Sequence, residues 1–173
     1  MRKGYIQVYT GDGKGKTTAA LGLALRAAGA GLRVFIAQFI KKRKCSEHRI
    51  IRERFDDLIT VKEYGEGLIL KREPTELDRK SAQRGLKQIR NVIESSEYDI
   101  VILDEVNVAV RYKLVDLAVL LEIMEKKPTR LELVITGRYA DEKVIAKADL
   151  VTEMKAIKHY REIGLKARRG IEC

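Results

Sequence analysis

Short apolar runs alternate with amphipathic stretches along most of the chain, and this alternation predicts its secondary structure. Runs of about four to eight apolar residues, bounded by polar or glycine-rich segments, are typical of strands that are buried on both faces. Strands are predicted at residues 6–9, 34–40, 58–64, 99–104, 131–136 and 150–154.

Helical periodicity fills most of the intervals between these runs. Helices are predicted at 16–28, before Gly29 and Gly31, at 114–124 and at 141–147, and Ile51 and Phe55 could form one face of a short helix. Another helix is predicted to start at Thr75, because Thr75 and Asp78 have the spacing of a capping box. Its apolar face is predicted to contain Leu77, Ala82, Leu86, Ile89 and Ile93.

Strands that alternate with helices predict an α/β fold, a mainly parallel sheet with helices on both faces. A chain of 173 residues without a linker or repeat fits one domain, residues 1–173. In such sheets, ligands bind beyond the carboxyl ends of the strands. The segments that follow strand ends, and should share one rim, are 10–17, 38–41, 64–70, 104–106 and 136–138.

The segment TGDGKGKTT, residues 10–18, lies between the first strand and the first helix and predicts a phosphate-binding P-loop. Thr10 stands where the general motif has glycine. Glycines allow backbone N–H groups to turn toward phosphate oxygens, and the following helix presents its N-terminus to the same anion. Lys16 would reach the terminal phosphates, Thr17 would ligate magnesium, and Thr18 could add a hydrogen bond. The nucleotide-binding loop therefore comprises Gly11, Asp12, Gly13, Lys14, Gly15, Lys16, Thr17 and Thr18.

Two acidic residues, the last residue of the buried strand DIVILD and the one after it, support this prediction. Asp104 and Glu105 are placed as P-loop proteins place carboxylates that hold magnesium, directly or through water. The sequence does not distinguish which of the two contacts the metal. Arg26 and Arg138 are further candidates for nucleotide contact, although Arg26 could equally be a surface residue.

Composition and charge limit the class of protein without choosing a ligand. The chain is 45% hydrophobic and 35% charged, as in globular proteins, and its net charge of +10 attracts anions such as nucleotides or nucleic acid. Nucleic acid is the less favoured partner, because the tyrosines and phenylalanines form no interleaved stacking motif. No apolar run approaches the roughly 20 residues that cross a bilayer. The early first strand and the widely separated Cys45 and Cys173 predict a cytoplasmic protein.

Acid–base and nucleophilic motifs are missing from the sequence. There is no activated serine motif, no Cys–His pair and no HExxH metal site. His48 and His159 are expected to be solvent-exposed or to form local hydrogen bonds. The predicted site therefore offers phosphate and magnesium binding without an evident general base.

Several motifs, in order along the chain, resemble one family. They are TGDGKGKTT, QFIK (38–41), LDE (103–105), TGR (136–138) and the tail IKHYREIGLKARRGIEC. Together they are similar to the P-loop type ATP:corrinoid adenosyltransferases, whose loop has the form TGxGKGKTT. The resemblance implies transfer of the 5′-deoxyadenosyl group of ATP to fully reduced cobalt. Cobalt attacks C5′ and triphosphate leaves, so no proton need be abstracted.

The resemblance also implies roles for particular residues and partners. Lys16 would offset triphosphate charge, Thr17 with Glu105 or Asp104 would hold Mg²⁺, and Arg26 and Arg138 match arginines of the family. It implies a homodimer, a corrinoid bound at the same rim and a reductant for cobalt. Where the family has GxGFTW, a segment that helps strip the lower axial ligand from cobalt, this chain has GEGLIL (65–70), so Leu68 and Leu70 stand in place of Phe and Trp. An alternative is a P-loop ATPase or kinase that has lost corrinoid handling.

Overall fold

The computed structural model describes residues 3–40, 45–67 and 72–172, and it places six parallel strands in one sheet. The strand order is β3-β2-β4-β5-β1-β6, and every neighbouring pair is parallel. The strands are β1 (Ile6–Thr10), β2 (Val34–Gln38), β3 (Ile59–Glu63), β4 (Ile100–Asp104), β5 (Glu132–Thr136) and β6 (Leu150–Glu153). The predicted parallel α/β fold is therefore confirmed.

Six α-helices and a short 3₁₀-helix connect or follow these strands in the part of the chain that the structure describes. They are α1 (Lys16–Gly29), α2 (Ser46–Arg54), α3 (Glu76–Ser95), α4 (Val106–Arg111), α5 (Leu117–Lys126), α6 (Glu142–Lys147) and the 3₁₀-helix Tyr160–Ile163. Within these ranges, no helix combines the length and the apolar composition that a membrane span requires.

Each face of the sheet has its own hydrophobic cluster, because successive side chains of a strand point to opposite faces. Val134 packs with the alanines of α1 on one face, whereas Ile135, the next residue, packs with α3 and α5 on the other. Strands β2, β4 and β5 are buried at all five of their positions. Helices on both faces are therefore what these near-continuous apolar strands require.

Three of the differences from the sequence predictions have a local explanation. Strand β2 ends at Gln38, two residues early, because Ile40 has a left-handed backbone with φ of 71°. Helix α5 begins at Leu117 rather than at residue 114, because the Asp116 side chain accepts a hydrogen bond from the Ala118 N–H at 2.8 Å and caps the helix there. Leu77 was expected on the buried face of α3 but is 60% exposed, since it lies in the first turn.

The N-terminus of α3 has the capping box that the sequence predicts. The Asp78 N–H donates to Thr75 Oγ1, and the Thr75 N–H donates to the Asp78 carboxylate at 2.8 Å. Arg72 donates to both oxygens of this buried carboxylate, at 2.5 and 2.8 Å. The hydrogen bond from Arg72 is the main reason that the pKa of Asp78 lies well below its usual range.

We expect Asp78→Asn to lower the free energy of unfolding by about 1–2 kcal/mol at pH 7, through loss of the cap and the ion pair. The pKa of Asp78 is lower in the folded state, so its stabilisation is complete above the ordinary carboxyl pKa of about 4 and is lost as the pH falls below it. Urea unfolding at pH 7 and pH 3 should show a smaller difference between variant and parent at pH 3. Glu76→Gln, at an exposed first-turn carboxylate, is the control and should change stability by about 0.5 kcal/mol or less.

Candidate phosphate-binding site

The loop between β1 and α1 forms an anion-binding turn at the carboxyl edge of the sheet. Gly11 and Gly15 have φ values of 90° and 123°, which L side chains rarely adopt. Gly15 caps α1 without a side-chain hydrogen bond, and no acidic residue lies in the first turn of the helix. The helix N-terminus therefore presents its backbone donors and positive dipole end toward the rim, as a phosphate site requires.

Lys16 is folded back onto this loop. Its ammonium donates to the carbonyl oxygens of Gly11 at 2.6 Å and of Gly13 at 2.7 Å, and the residue is only 7% exposed. The Gly13 N–H in turn donates to the Met154 carbonyl at 2.6 Å, which ties the loop to the segment that follows β6. The positive charge of Lys16 is thus held inside the loop at the position where phosphates would bind.

A buried polar cluster lies beside the first turn of α1. Asp104, at the end of β4, is 1% exposed and accepts three hydrogen bonds. Thr17 Oγ1 and Thr136 Oγ1 donate to its Oδ1 at 2.9 and 2.7 Å, and Gln38 Nε2 donates to its Oδ2 at 3.0 Å. The structure therefore brings Thr17 and Asp104 into contact, although they come from different elements.

Glu105 follows Asp104 directly in the chain. It has a left-handed backbone with φ of 60°, and its N–H donates to Thr136 Oγ1 at 3.0 Å. Thr17, Asp104 and Glu105 together present one hydroxyl and two carboxylates, a set of hard oxygen donors that suits Mg²⁺. The residues present therefore fit a magnesium ion held by the protein and by substrate phosphates.

A cavity of about 550 Å³ opens over the loop. It is lined by the loop with Lys16, Thr17 and Thr18 and by Glu105 and Arg138. The tail also lines it, through His159, Tyr160, Leu165, Lys166, Ala167, Gly170, Ile171 and Glu172. Of these tail residues, sequence reasoning weighed only His159; the tail motif that entered the family resemblance could have indicated the others.

The tail contacts the loop through charged groups. Glu172 accepts a hydrogen bond from Lys14 Nζ at 3.0 Å, and the Lys14 ammonium lies 5.7 Å from the centre of the Tyr160 ring. Arg168 also pairs with Glu172, at 3.0 Å, and its hydrogen bond is the main cause that lowers the pKa of Glu172 to about 2. A carboxylate thus pairs with a lysine of the phosphate loop.

The remaining predicted site residues are placed differently. Arg138 lines the cavity, and its guanidinium lies 3.6 Å from the exposed carboxylate of Asp12. Arg26 is exposed in the last turn of α1, about 15 Å along the helix from Lys16, and does not line the cavity. A nucleotide contact by Arg26 stays a prediction. Leu68 and Leu70 lie outside the described residues.

The structure places the two histidines in different environments. His48 was expected to be exposed or to bond locally, and this was wrong. It is 2% exposed, and its Nδ1 lies 2.7 Å from Glu63 Oε1, fifteen positions along the chain. The amphipathic pattern of α2 was too short for the sequence to assign His48 to its buried face. His159 is half-buried in the cavity wall.

We expect Gly13→Ala to disrupt the loop. An added Cβ would lie 2.6 Å from the Met154 carbonyl oxygen and 2.9 Å from the Lys155 carbonyl carbon, and backbone atoms cannot move aside cheaply. Nucleotide affinity, measured by calorimetric titration, should fall at least about tenfold, which corresponds to 1.4 kcal/mol. Gly22→Ala is the matched control, since its Cβ would meet nothing within 4 Å and should stabilise α1 by about 0.5–1 kcal/mol. Unchanged nucleotide affinity of Gly13→Ala would contradict the proposed role of the loop.

The fold and this geometry define a P-loop nucleotide-binding protein. A KaiC-like protein from Pyrococcus horikoshii has a similar fold, with a TM-score of 0.60 at 13% identity over 90% of this chain and 74% of that one. The model of the family described as ATP:corrinoid adenosyltransferase BtuR/CobO/CobP matches residues 2–173, and the chain belongs to this family.

Relatives with curated names agree with the family model. A corrinoid adenosyltransferase of a Sinorhizobium species is 37% identical over 172 residues, which cover 98% of this chain and 80% of the relative. That of Pseudomonas aeruginosa is 32% identical, over 98% of this chain and 84% of the relative. The chain is therefore a transferase of a family that uses ATP and a corrinoid, and the alternative of an ATPase or kinase without corrinoid handling is not favoured.

Proposed function

We propose that this chain, acting as one P-loop domain, transfers the 5′-deoxyadenosyl group of Mg-ATP to the fully reduced cobalt of a corrinoid. The observation that carries the proposal is that Lys16 and Thr17, at the N-terminus of α1, line a cavity large enough for a nucleotide, and that Thr17 is hydrogen-bonded to Asp104 behind it. Family membership supplies the corrinoid as the acceptor.

The reaction forms a cobalt–carbon bond at C5′ and breaks the bond from C5′ to the triphosphate oxygen. The electron pair comes from reduced cobalt, and the leaving oxygen keeps the pair of the broken bond. Since no proton is abstracted, the chain need only position the two substrates and stabilise charge on the departing triphosphate. Each turnover consumes one corrinoid with fully reduced cobalt, so we propose a separate reductant or reductase as the partner that reduces the corrinoid substrate.

Each group at the rim has a part in this scheme. The N–H groups of the loop and of the first turn of α1 would bind phosphate oxygens. Lys16 would exchange its hydrogen bonds to two carbonyl oxygens for contacts with the triphosphate, whose charge it would offset. Thr17, with Asp104 or Glu105, would hold Mg²⁺, which when bound neutralises part of the triphosphate charge. Arg138, which lines the cavity and lies 3.6 Å from Asp12, would contact the nucleotide. We propose that Leu68 and Leu70 contribute an apolar surface to the corrin.

An anaerobic assay tests the proposal directly. Protein, Mg-ATP and chemically reduced cobalamin are mixed, the corrinoid absorbance is followed, and the phosphate product is identified by chromatography. Formation of adenosylcobalamin with release of intact triphosphate supports the transferase. ATP cleaved to ADP and phosphate, with no change in the corrinoid, would overturn it.

We further propose a cytoplasmic homodimer. Apolar side chains are exposed near the edge strand β6, among them Leu150 and Val151 at 45% and 41%, and Ile157 at 89%. Exposed apolar patches on proteins often mark association sites. Light scattering coupled to size exclusion should give twice the 19.7 kDa mass of the chain. The buried position of Cys45 agrees with a reducing compartment, which cell fractionation can check.

A further inference from the structure

Gln38 connects Asp104 to a second, smaller cavity. The Gln38 side chain is 2% exposed, and its Nε2 donates to Asp104 Oδ2 at 3.0 Å. Its Oε1 is also buried, and among the described residues it has no hydrogen-bond partner. Leaving a buried amide oxygen unpaired costs about 1–3 kcal/mol, so we expect a hydrogen-bond donor beside this oxygen.

The cavity beside Gln38 has room for such a donor. Its volume is about 10 Å³, close to the space that one water molecule needs. The cavity is lined by Thr17, Ala20, Leu21, Ile36, Gln38, His48, Ile102 and Asp104. Apart from the threonine and aspartate of the phosphate site, its polar residues are Gln38 and His48.

Glu63 determines which atom of His48 can bond inside this cavity. The carboxylate of Glu63 can only accept, so the 2.7 Å contact to Nδ1 requires the proton on Nδ1. In the tautomer with a single ring proton on Nδ1, Nε2 is the nitrogen that carries the acceptor lone pair. Gln38 Oε1 is likewise an acceptor, so these two atoms cannot bond to each other. A water molecule donates two hydrogen bonds and satisfies both.

We propose that His48 is a positioning residue for Asp104, one of the two carboxylates proposed to hold magnesium, and that it acts through one buried water and the Gln38 amide. The water donates to Gln38 Oε1 and so holds the amide with its Nε2 toward the carboxylate. The reversed amide would place its oxygen against Asp104 Oδ2. Asp104 keeps its orientation, with Oδ1 toward the Thr17 hydroxyl. Partners of this kind, behind a metal ligand, typically contribute about 10–100-fold to metal affinity. The inference rests on the magnesium role in the proposed function.

The test measures Mg²⁺-dependent ATP binding by calorimetry in the absence of corrinoid. His48→Leu removes the ring acceptor at similar volume, and we expect the Mg²⁺ concentration for half-maximal binding to rise about tenfold. ATP affinity in EDTA should change less than about twofold. His48→Gln, which returns a polar group near the Nε2 position, should recover part of the Mg²⁺ response. Ile51→Val, a buried substitution on the same helix away from the cavity, controls for loosened packing of α2.

A second measurement tests whether His48 and Gln38 are coupled. If His48 acts through Gln38, the Mg²⁺ effects of His48→Leu and Gln38→Leu should be less than additive in the double variant. Equal losses of affinity with and without Mg²⁺, or full additivity, would overturn the inference. An Ile51→Val variant that raises the Mg²⁺ concentration for half-maximal binding as much as His48→Leu does would also overturn it.

The same experiment separates this inference from the proposed function. Parent protein that binds Mg-ATP but transfers no adenosyl group would refute the transferase while leaving the role of His48 measurable through Mg²⁺. If ATP binding by the parent protein does not depend on Mg²⁺, the proposed magnesium site is refuted, and the inference about His48 is overturned with it.

Discussion

Replacing Lys16 by alanine is expected to lower kcat/KM for adenosyl transfer by about 10³-fold. In the structure its ammonium lies inside the phosphate loop on two carbonyl oxygens, and no other lysine of the loop is buried. Charge on the leaving triphosphate grows as the bond to C5′ breaks. A preorganised cation at that position therefore stabilises the transition state more than bound ATP, and removing such a donor costs about 10²–10³ or more in rate.

The comparison variant is Lys14→Ala, which removes the same charge from the same loop. The Lys14 side chain is 43% exposed and pairs with Glu172, so its effect on kcat should stay below about tenfold because solvent screens exposed charges. Thermal unfolding of both variants separates a chemical loss from loss of the loop contacts. Equal rate losses for the two lysines would show that net charge, rather than the position of Lys16, matters.

Asp104→Asn should have the second largest effect, a loss of about 100-fold in kcat/KM together with a higher Mg²⁺ requirement. The variant conserves volume but removes the charge that attracts the cation, and its new amide would face the Gln38 amide donor. ATP affinity in EDTA should change little. Turnover measured across Mg²⁺ concentrations, with direct ATP titration, tests both statements.

Glu105→Gln resolves which carboxylate serves the metal. Asp104 is in contact with the Thr17 hydroxyl, so we expect the Mg²⁺ requirement to rise more in Asp104→Asn than in Glu105→Gln. The reverse order would assign the direct contact to Glu105, which also lines the cavity.

Most of the framework could be predicted because local and tertiary preferences agree there. The buried strands are nearly continuous apolar runs, and the capping box at Thr75 uses only residues three apart. The shared rim followed from topology, since parallel strands bring their carboxyl ends to one edge; hence Thr17 could be expected near Asp104.

Other parts of the site could not be predicted, because tertiary packing decides them. Helix α4 has the sequence VNVAVR, whose β-branched residues favour a strand, yet the left-handed Glu105 turns the chain and buries Val106 and Val108. The burial of His48 depends on Glu63 from another element. The contact between the tail and Lys14 joins residues 158 positions apart and has no local signal.

The strand order links the phosphate site to the order of folding. Thr17 and Asp104 are 87 positions apart, and β5, which comes later in the chain than both, lies between β1 and β4. The two halves of the site therefore meet only after β5 has inserted, a non-local step of the kind that slows folding. The Mg²⁺ dependence of nucleotide binding needs both halves, whereas the phosphate loop is local in the chain. We therefore expect the Mg²⁺ response measured during refolding to report the insertion of β5, and Mg²⁺-independent nucleotide binding to report the formation of the loop.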